Sequence, residues 1–445
     1  MEKTLQTDWR PGRLTQISRI LLCLLLFDVA CTGSGRYISV GWFSPRIVLA
    51  LFMVLTGLPA LIRDFRTQLK NPVNYMILGF WLYLGAEAYV GMQNGNNMAV
   101  LKSDLMGFAW LGLIPFMSML LREELWMKRA LSAIVIGASV QAALCVIFNI
   151  VFAAIAPQAL PDFVEGIWAA GWGTILAVEY NAVRVFCRSC MMIVIACVLL
   201  FGAIMRREKF SPGLAALFLL NFFALFYTYT RSIYLALGFA LLLSLVYLAF
   251  TVSFRKALLR ALVLAAAFLL IGFASDLILK QGSFQYAVAR CFHRDLNELL
   301  PLPLPHTWEQ SELDFEDITK DSNDTRDTTT EELRIIIAES PVVGHGLGAV
   351  VPSRGGNDEY FYHDMLMRTG VLGLVLYMTP VIYAGIWLIL LRKRWKEEPR
   401  MGLIYIGLLS FLLASYFNPW MNAVVGISWY GITLTEIDRN TLELR

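Results

Sequence analysis

Two polar side chains in an otherwise apolar chain are suited to phosphate binding and proton transfer. Arg231 lies in a short polar connection, residues 227–232, between two long apolar runs. His363 is one of 4 histidines and comes just before another apolar run. A guanidinium binds phosphate oxygens through paired hydrogen bonds, and a neutral imidazole serves as a general base. Several arginines beside a membrane surface would suit a diphosphate, and the histidine is a candidate proton acceptor.

The composition is that of a membrane protein. Of 445 residues, 58% are hydrophobic and only 16% are charged, and the mean hydropathy is +0.60. A soluble domain is closer to half apolar and a quarter charged. The expected fold is therefore an all-α polytopic membrane protein with about 12 transmembrane helices, since a span needs about 20 apolar residues. The predicted spans are 18–32, 40–62, 72–91, 103–121, 129–156, 184–205, 211–229, 232–253, 257–275, 361–391, 401–417 and 421–436.

Basic residues alternate along the connections between these runs. Every second connection is rich in Lys and Arg, which predicts cytoplasmic termini and places residues 229–231, 157–183 and 276–360 on the opposite face. The predicted organisation is spans 1–9 in residues 1–275, a large loop with short helices at 276–360, and spans 10–12 with a cytoplasmic tail at 361–445. The loop carries 7 Lys and Arg against 16 Asp and Glu, so it is strongly acidic.

Local patterns divide this loop. The Pro-rich run 299–305 is expected to be extended, and the acidic run 309–327 is more typical of a solvated surface than of a metal site. Thr followed three residues later by Glu predicts a helix that starts near Thr328 or Thr329. Pro341 is expected to end this helix. Glycines at alternate positions then predict a tight turn with close backbone approach, at Gly344, Gly346 and Gly348.

The charged candidates have structural alternatives. Arg231 would be an ordinary snorkelling residue, except that it lies on the face where basic residues are sparse. Arg184 and Arg188 open the sixth predicted span and either bind an anion or pair with nearby glutamates. Asp364 is expected to pair with Arg368 at i+4 rather than to orient His363. Residues 157–183 are read as an interfacial helix anchored by Trp, and the 7 cysteines predict neither a metal site nor a disulfide framework.

The order of these motifs resembles the O-antigen ligase/O-antigen polymerase superfamily. The resemblance extends over roughly residues 180–425. The motifs that carry it are Thr230-Arg231-Ser232, Pro341-x-x-Gly344-x-Gly346-x-Gly348, His363-x-x-Leu366-x-x-x-Gly370-x-x-Gly373 and Asn418-Pro419.

The resemblance implies a bacterial inner-membrane glycosyltransferase of the GT-C type that needs no metal or other cofactor. Its donor would be a glycan on undecaprenyl diphosphate. The acceptor would be a hydroxyl of lipid A core, another glycan or a protein on the periplasmic face, with polysaccharide assembly proteins as further partners. His363 would activate the acceptor hydroxyl. The diphosphate-binding residues would be Arg231, Arg184 and a loop arginine, Arg326 or Arg334.

Two alternatives stay open at this point. Ligases and polymerases share these motifs, although the acidity of the loop favours a polymerase over transfer to an anionic lipid A core. A transporter that moves lipid-linked sugar without bond chemistry would need buried charge along a central path, for which Glu87 is the main candidate.

Overall fold

The chain forms a helical bundle. The computed structural model describes residues 12–33, 44–155, 172–178, 182–292, 328–354 and 360–442. The helices are α1 Arg13–Thr32, α2 Pro45–Arg63, α3 Pro72–Gln93, α4 Met98–Leu120 with a 3₁₀ turn at Trp110–Leu113, α5 Glu124–Ile150 with a π-helical extension Val151–Ile155, α6 Cys190–Arg206, α7 Pro212–Phe226, α8 Arg231–Ala249, α9 Phe254–Leu279, α10 Ser283–Phe292, α11 328–339, α12 Phe361–Leu390, α13 Arg400–Ala414 and α14 Val424–Leu442. Single helical turns lie at Phe65–Gln68 and Arg392–Arg394.

The prediction of an all-α polytopic membrane protein is confirmed. Within the described ranges, 7 helices are long and apolar enough to cross a membrane, and α6, α7 and α13 are shorter apolar helices. Each predicted span overlaps one of the helices, although the number of 12 spans stays a prediction. Proline at the first turn starts α2, α3 and α7, where its missing N–H costs no intrahelical bond.

The start of the sixth predicted span is wrong. Residues Val183–Cys187 form a strand, β2, that pairs antiparallel with β1, Gly173–Ala177, and α6 begins only at Cys190. Arg184 therefore lies on a strand opposite Leu176 and does not open a helix. β1 also replaces part of the helix predicted over 157–183, whose residues 157–171 and 179–181 lie outside the described ranges.

Connections predicted to be cytoplasmic meet at one end of the bundle. Arg19 is buried and its Nη2 lies 2.6 Å from Glu123 Oε1. Arg400 binds Glu124 at 2.8 Å and Glu436 at 2.9 Å. These ion pairs join α1, α5, α13 and α14. The basic connections at these helices therefore lie at the same end of the bundle.

The Gly-rich turn at residues 341–348 is built into the opposite end. Helix α12 breaks at Gly370, whose φ is 61°, and the turn occupies the break. The backbone N–H groups of His345 and Gly346 donate to the carbonyls of Met367 and Arg368 at 2.8 and 3.0 Å. The N–H of Leu347 donates to the carbonyl of Glu87 on α3 at 3.0 Å. The turn thus satisfies backbone groups that the helix break exposes.

Asparagines from the α3–α4 connection hold the same turn from the other side. Asn96 Nδ2 donates to the carbonyls of His345, Gly346 and Leu347 at 3.0, 3.2 and 3.1 Å, and Asn94 Nδ2 donates to that of His345 at 3.0 Å. The three loop glycines all have positive φ. The predicted tight turn with close backbone approach is confirmed.

The loop prediction is confirmed in part. Helix α11 is described from residue 328 and ends at residue 339, two residues before Pro341, as expected. The Pro-rich run 299–305, the acidic run 309–327 and Arg326 lie outside the described residues.

Replacing Gly346 by Ala tests how much the turn depends on close approach. Gly346 has φ +86°, and a Cβ there would overlap the backbone nitrogen of Gly91, whereas Gly95, with φ +71°, has open space around it. We expect Gly95→Ala to cost about 1–2 kcal/mol of unfolding free energy from left-handed strain. Gly346→Ala should lose about 1–3 kcal/mol more through overpacking.

Thermal unfolding of the detergent-purified variants measures the difference. Gly238→Ala, in α8 with nothing nearby, is the control for an unstrained helical site. Equal stability of the Gly346 and Gly95 variants would contradict the proposed packing.

Candidate functional site

Three arginines converge at the turn that precedes α8. Arg231 is exposed, and its Nε donates to the carbonyl of Arg290 on α10 at 2.7 Å. Arg184 Nε donates to the carbonyl of Thr228 at 3.1 Å, and its Nη2 donates to Thr230 Oγ1 at 3.4 Å. Elements that are far apart in sequence thus carry their guanidinium groups to one short turn, and Arg184, Arg231 and Arg290 are called the arginine cluster below.

The charges in this cluster affect their neighbours. Burial lowers the pKa of the Arg184 guanidinium, and the positive charge of Arg290 acts in the same direction. The thiol of Cys291 has its pKa raised by burial, while Arg231 and Arg290 oppose that change. Because like charges held together favour an anion between them, the cluster has the electrostatics of an anion-binding site.

His363 lies in the first turn of α12. Its ring is half-buried and makes edge contacts with Tyr360 and Tyr416, at centroid distances of 5.5 and 6.3 Å. Tyr416 follows α13, so the histidine lies between two elements at this end of the bundle. An imidazole at this position is a candidate proton acceptor.

A buried charge network lies one residue further along α12. Arg368 Nη1 is 2.9 Å from Asp104 Oδ1 on α4 and 3.4 Å from Asp364 Oδ2, and the three side chains are only 3–6% exposed. The expected Asp364–Arg368 pair is confirmed. Asp104 Oδ2 also accepts the N–H of Gly348 at 3.1 Å, and Arg368 Nε donates to the carbonyl of Ala349 at 3.2 Å. The network therefore ties the Gly-rich turn to α4 and α12.

A cavity of about 770 Å³ opens beside this network. Its wall comes from connections and helix ends that were all predicted on the face opposite the basic connections. The charged side chains that line it are Arg46, Lys102, Asp104, Arg188, Asp364 and Arg368. The aromatic ones are Phe108, Trp110, Phe186 and Trp420, and Asn418 and Asn422 add amide groups. This mixture of rings, amides and charges is typical of a polar ligand site.

The cavity and the arginine cluster are joined through two contacts. Asn418 lines the cavity and its Nδ2 donates to Ser232 Oγ, next to Arg231, at 3.1 Å. Phe186 also lines the cavity, two residues after Arg184 on β2, and its ring lies tilted against that of Trp420 at a centroid distance of 6.3 Å. The two features therefore form one continuous region at this end of the bundle.

The model of the O-antigen ligase family matches residues 214–378. This segment contains Arg231, Arg290, the Gly-rich turn, His363 and the Asp364–Arg368 pair. Over these residues the chain is similar to the O-antigen ligase family. No curated protein matches it.

The match to the O-antigen ligase model indicates glycosyl transfer in general, with lipid-linked glycan and polysaccharide substrates in a membrane environment. Arg184, Asn418 and most of the cavity wall lie outside the matched segment. The structure therefore adds residues to the site that the family motif does not contain.

The predicted site residues differ in their positions. Arg184 and Arg231 lie at the same turn, which agrees with the prediction that both are on the face opposite the basic connections. His363 is next to Asp364, but in the described part of the chain the cavity wall is formed by Asp364 and not by His363. Arg334 is exposed on α11, and Arg326 lies outside the described residues.

Sequence reasoning missed two residues of this region. Arg290 was not singled out because it lies within the acidic loop. The signal that could have found it is the amphipathic stretch Ser283–Phe292, which has Arg290 in its last turn. Asp104 was hidden in a predicted span, where an ionisable residue is itself a signal of function or of a buried partner. Glu87, the acid that the transporter interpretation needs, is buried beside the Gly-rich turn, and within the described residues it is not part of the cavity wall.

Replacing Arg368 by Met tests the buried network. The change leaves two carboxylates buried beside each other without their shared cation, so we expect a loss of about 3–5 kcal/mol of unfolding free energy. The triple variant Arg368→Met, Asp104→Asn, Asp364→Asn removes the charges together and should recover much of that loss. Denaturant unfolding of the purified protein measures both.

Arg334→Met is the matched control, since this arginine is exposed, and it should leave stability unchanged. A stable Arg368→Met protein, or a triple variant less stable than the single one, would show that the network does not hold the turn.

Proposed function

We propose that the chain transfers a glycan from undecaprenyl diphosphate to an acceptor hydroxyl on the periplasmic face of the bacterial inner membrane. The observation that carries this proposal is the convergence of Arg184, Arg231 and Arg290 beside a large polar cavity at one end of the bundle. The match to the O-antigen ligase model supports the reaction class, and the arginine cluster supports the diphosphate donor.

The arginine cluster is the proposed binding site of the diphosphate. Arg231 begins α8 at a turn too short for the side chain to leave the membrane surface, which is where the diphosphate of a lipid carrier lies. Arg184 and Arg290 come to the same turn from β2 and α10. Planar guanidinium groups suit the diphosphate oxygens, and the loop arginine Arg326 or Arg334 is proposed to complete the set when the donor binds.

His363 is the proposed general base. It takes the proton of the acceptor hydroxyl while that oxygen forms a bond to the anomeric carbon of the donor sugar. The bond between this carbon and the diphosphate oxygen breaks in the same step, and the arginine cluster stabilises the negative charge that develops on the departing diphosphate. Direct displacement inverts the anomeric centre. The proton ends on His363 and the lipid diphosphate leaves.

The proposed chemistry makes the face of the membrane important. Basic side chains are concentrated at the other end of the bundle, where some of them form ion pairs such as that between Arg400 and Glu124. That end is proposed to be cytoplasmic. The arginine cluster, the Gly-rich turn and the cavity would then face the periplasm, where polysaccharide assembly proteins deliver or take over the glycan.

Substituting the arginines tests the donor site. Arg231→Ala and Arg184→Ala should each lower turnover of lipid diphosphate–linked glycan about 100-fold, the usual effect of removing one donor to developing negative charge. Arg231→Lys should recover little, because an ammonium cannot bind two oxygens at once. Transfer in detergent micelles with a radiolabelled donor measures these rates.

Arg255→Ala is the control, since Arg255 is exposed at the opposite end of the bundle and should be neutral. Wild-type rates in Arg231→Ala and Arg184→Ala would refute the proposed donor site.

Replacing His363 by Ala tests the base. Turnover should fall about 100- to 10,000-fold, the usual contribution of general base catalysis, while donor affinity stays unchanged because the arginine cluster is intact. The wild-type product should also have the anomeric configuration opposite to that of the donor, which the anomeric proton couplings report by NMR. Retention of configuration, or an active His363→Ala enzyme, would exclude the direct displacement.

A further inference from the structure

The cavity contains a second set of cations, separate from the arginine cluster. Lys102 on α4 and Arg188 after β2 both line it and are exposed. The other two basic side chains of the wall are neutralised, Arg46 by Asp28 at 2.8 Å and Arg368 by Asp104 and Asp364. Among the described residues, the structure gives no ion-pair partner for Lys102 or Arg188. These two side chains therefore carry the positive charge that the cavity offers to a ligand.

The backbone around both cations is well defined. The N–H of Arg188 donates to the carbonyl of Trp172 at 3.2 Å, and the same residue packs so closely on Gly33 that a Cβ there would overlap its carbonyl group. Lys102 stands in the first turns of α4, whose start is capped by Asn97 through the N–H groups of Ala99 and Val100. The positions from which the two charges reach into the cavity are therefore set by the fold.

The rest of the wall suits a sugar. Trp110 and Trp420 line the cavity, and indole rings can pack on the apolar face of a pyranose ring. The amides of Asn418 and Asn422 can each donate and accept, as hydroxyl groups require. A ligand that uses rings, amides and cations together is a glycan that carries an anionic group.

We propose that this cavity binds the acceptor, that the acceptor is an anionic glycan, and that Lys102 and Arg188 select it by binding its phosphate or carboxylate. The inference rests on the proposed function, since it assigns the second substrate of the same reaction. The acidity of the 276–360 loop favoured a less anionic acceptor. The positive charge of the described cavity wall argues for the opposite preference, because it would act on the acceptor at contact distance.

The donor diphosphate fits the arginine cluster better than the cavity. None of the three cluster arginines is part of the described cavity wall, yet Asn418 connects the two sites through Ser232. Asp364 at the cavity wall is adjacent in sequence to His363, so the proposed base lies one residue from the described cavity wall. Two sites with separate cations thus correspond to the two substrates of one transfer.

The test compares acceptors with and without the anionic group. Purified wild-type enzyme and the double variant Lys102→Gln, Arg188→Gln are assayed with a lipid-linked donor. The acceptors are a phosphorylated oligosaccharide, a uronic acid–containing one and the matching neutral one, each in a free and a lipid-anchored form. We expect the double variant to raise KM for both anionic acceptors about tenfold, which corresponds to about 1.4 kcal/mol. KM for the donor and for the neutral acceptor should not change.

Ionic strength gives an independent readout. KM of the wild-type enzyme for the anionic acceptors should rise with salt, and the double variant should lose this dependence. Lys280→Gln is the matched control, because Lys280 is an exposed lysine just after α9 and outside the described cavity wall, and it should behave as wild type. Comparison of the lipid-anchored and free acceptors shows whether the enzyme recognises the anionic sugar on a membrane glycolipid or on a growing glycan.

Three outcomes would overturn the inference. They are an unchanged KM for the anionic acceptors, an equal rise for the neutral acceptor, or a rise for the donor, which would place the diphosphate in the cavity. Failure of the proposed function looks different, because the wild-type enzyme would then transfer nothing from the lipid diphosphate to any acceptor.

Discussion

The buried guanidinium of Arg368 holds this end of the bundle together. It lies between Asp104 and Asp364 and donates to the carbonyl of Ala349, while Asp104 accepts the N–H of Gly348. A charge in a site this dry is tolerated only when its partners surround it. Two carboxylates on one cation specify a single arrangement, because any other leaves a buried charge without compensation. α4, α12 and the Gly-rich turn are therefore positioned as one unit.

The break in α12 follows from the same arrangement. Gly370 leaves the helical conformation, and the carbonyls freed at Met367 and Arg368 accept N–H groups from the Gly-rich turn. An unpaired backbone group at this depth would cost several kcal/mol, so turn and break stabilise each other. The short N-terminal half of α12 carries His363 and Asp364, and the turn thereby sets the angle at which the proposed base and the cavity wall face a substrate.

The parts of this structure that depend on local chemistry could be read from the sequence. Apolar runs give the helices, and the i+4 spacing gives the Asp364–Arg368 pair. The Asp104–Arg368 pair spans 264 residues and has no local signal. β2 was misread because Val183–Cys187 borders the apolar run of α6 and has the same composition. Arg290 could not be assigned for a related reason, since only the folded chain brings it to the turn before α8.

Two separate sets of cations also solve a problem that the proposed chemistry creates. A diphosphate donor and an anionic acceptor repel each other, and near a membrane surface two unit charges about 4 Å apart interact by roughly 4 kcal/mol. If both anions relied on the same arginines, the repulsion between the anionic group of the acceptor and the diphosphate would oppose the approach of the two substrates. With Arg184, Arg231 and Arg290 at one site and Lys102 and Arg188 at the other, each anion meets its own cations. Asn418, which contacts both sites, then lies where the acceptor oxygen and the anomeric carbon would have to meet.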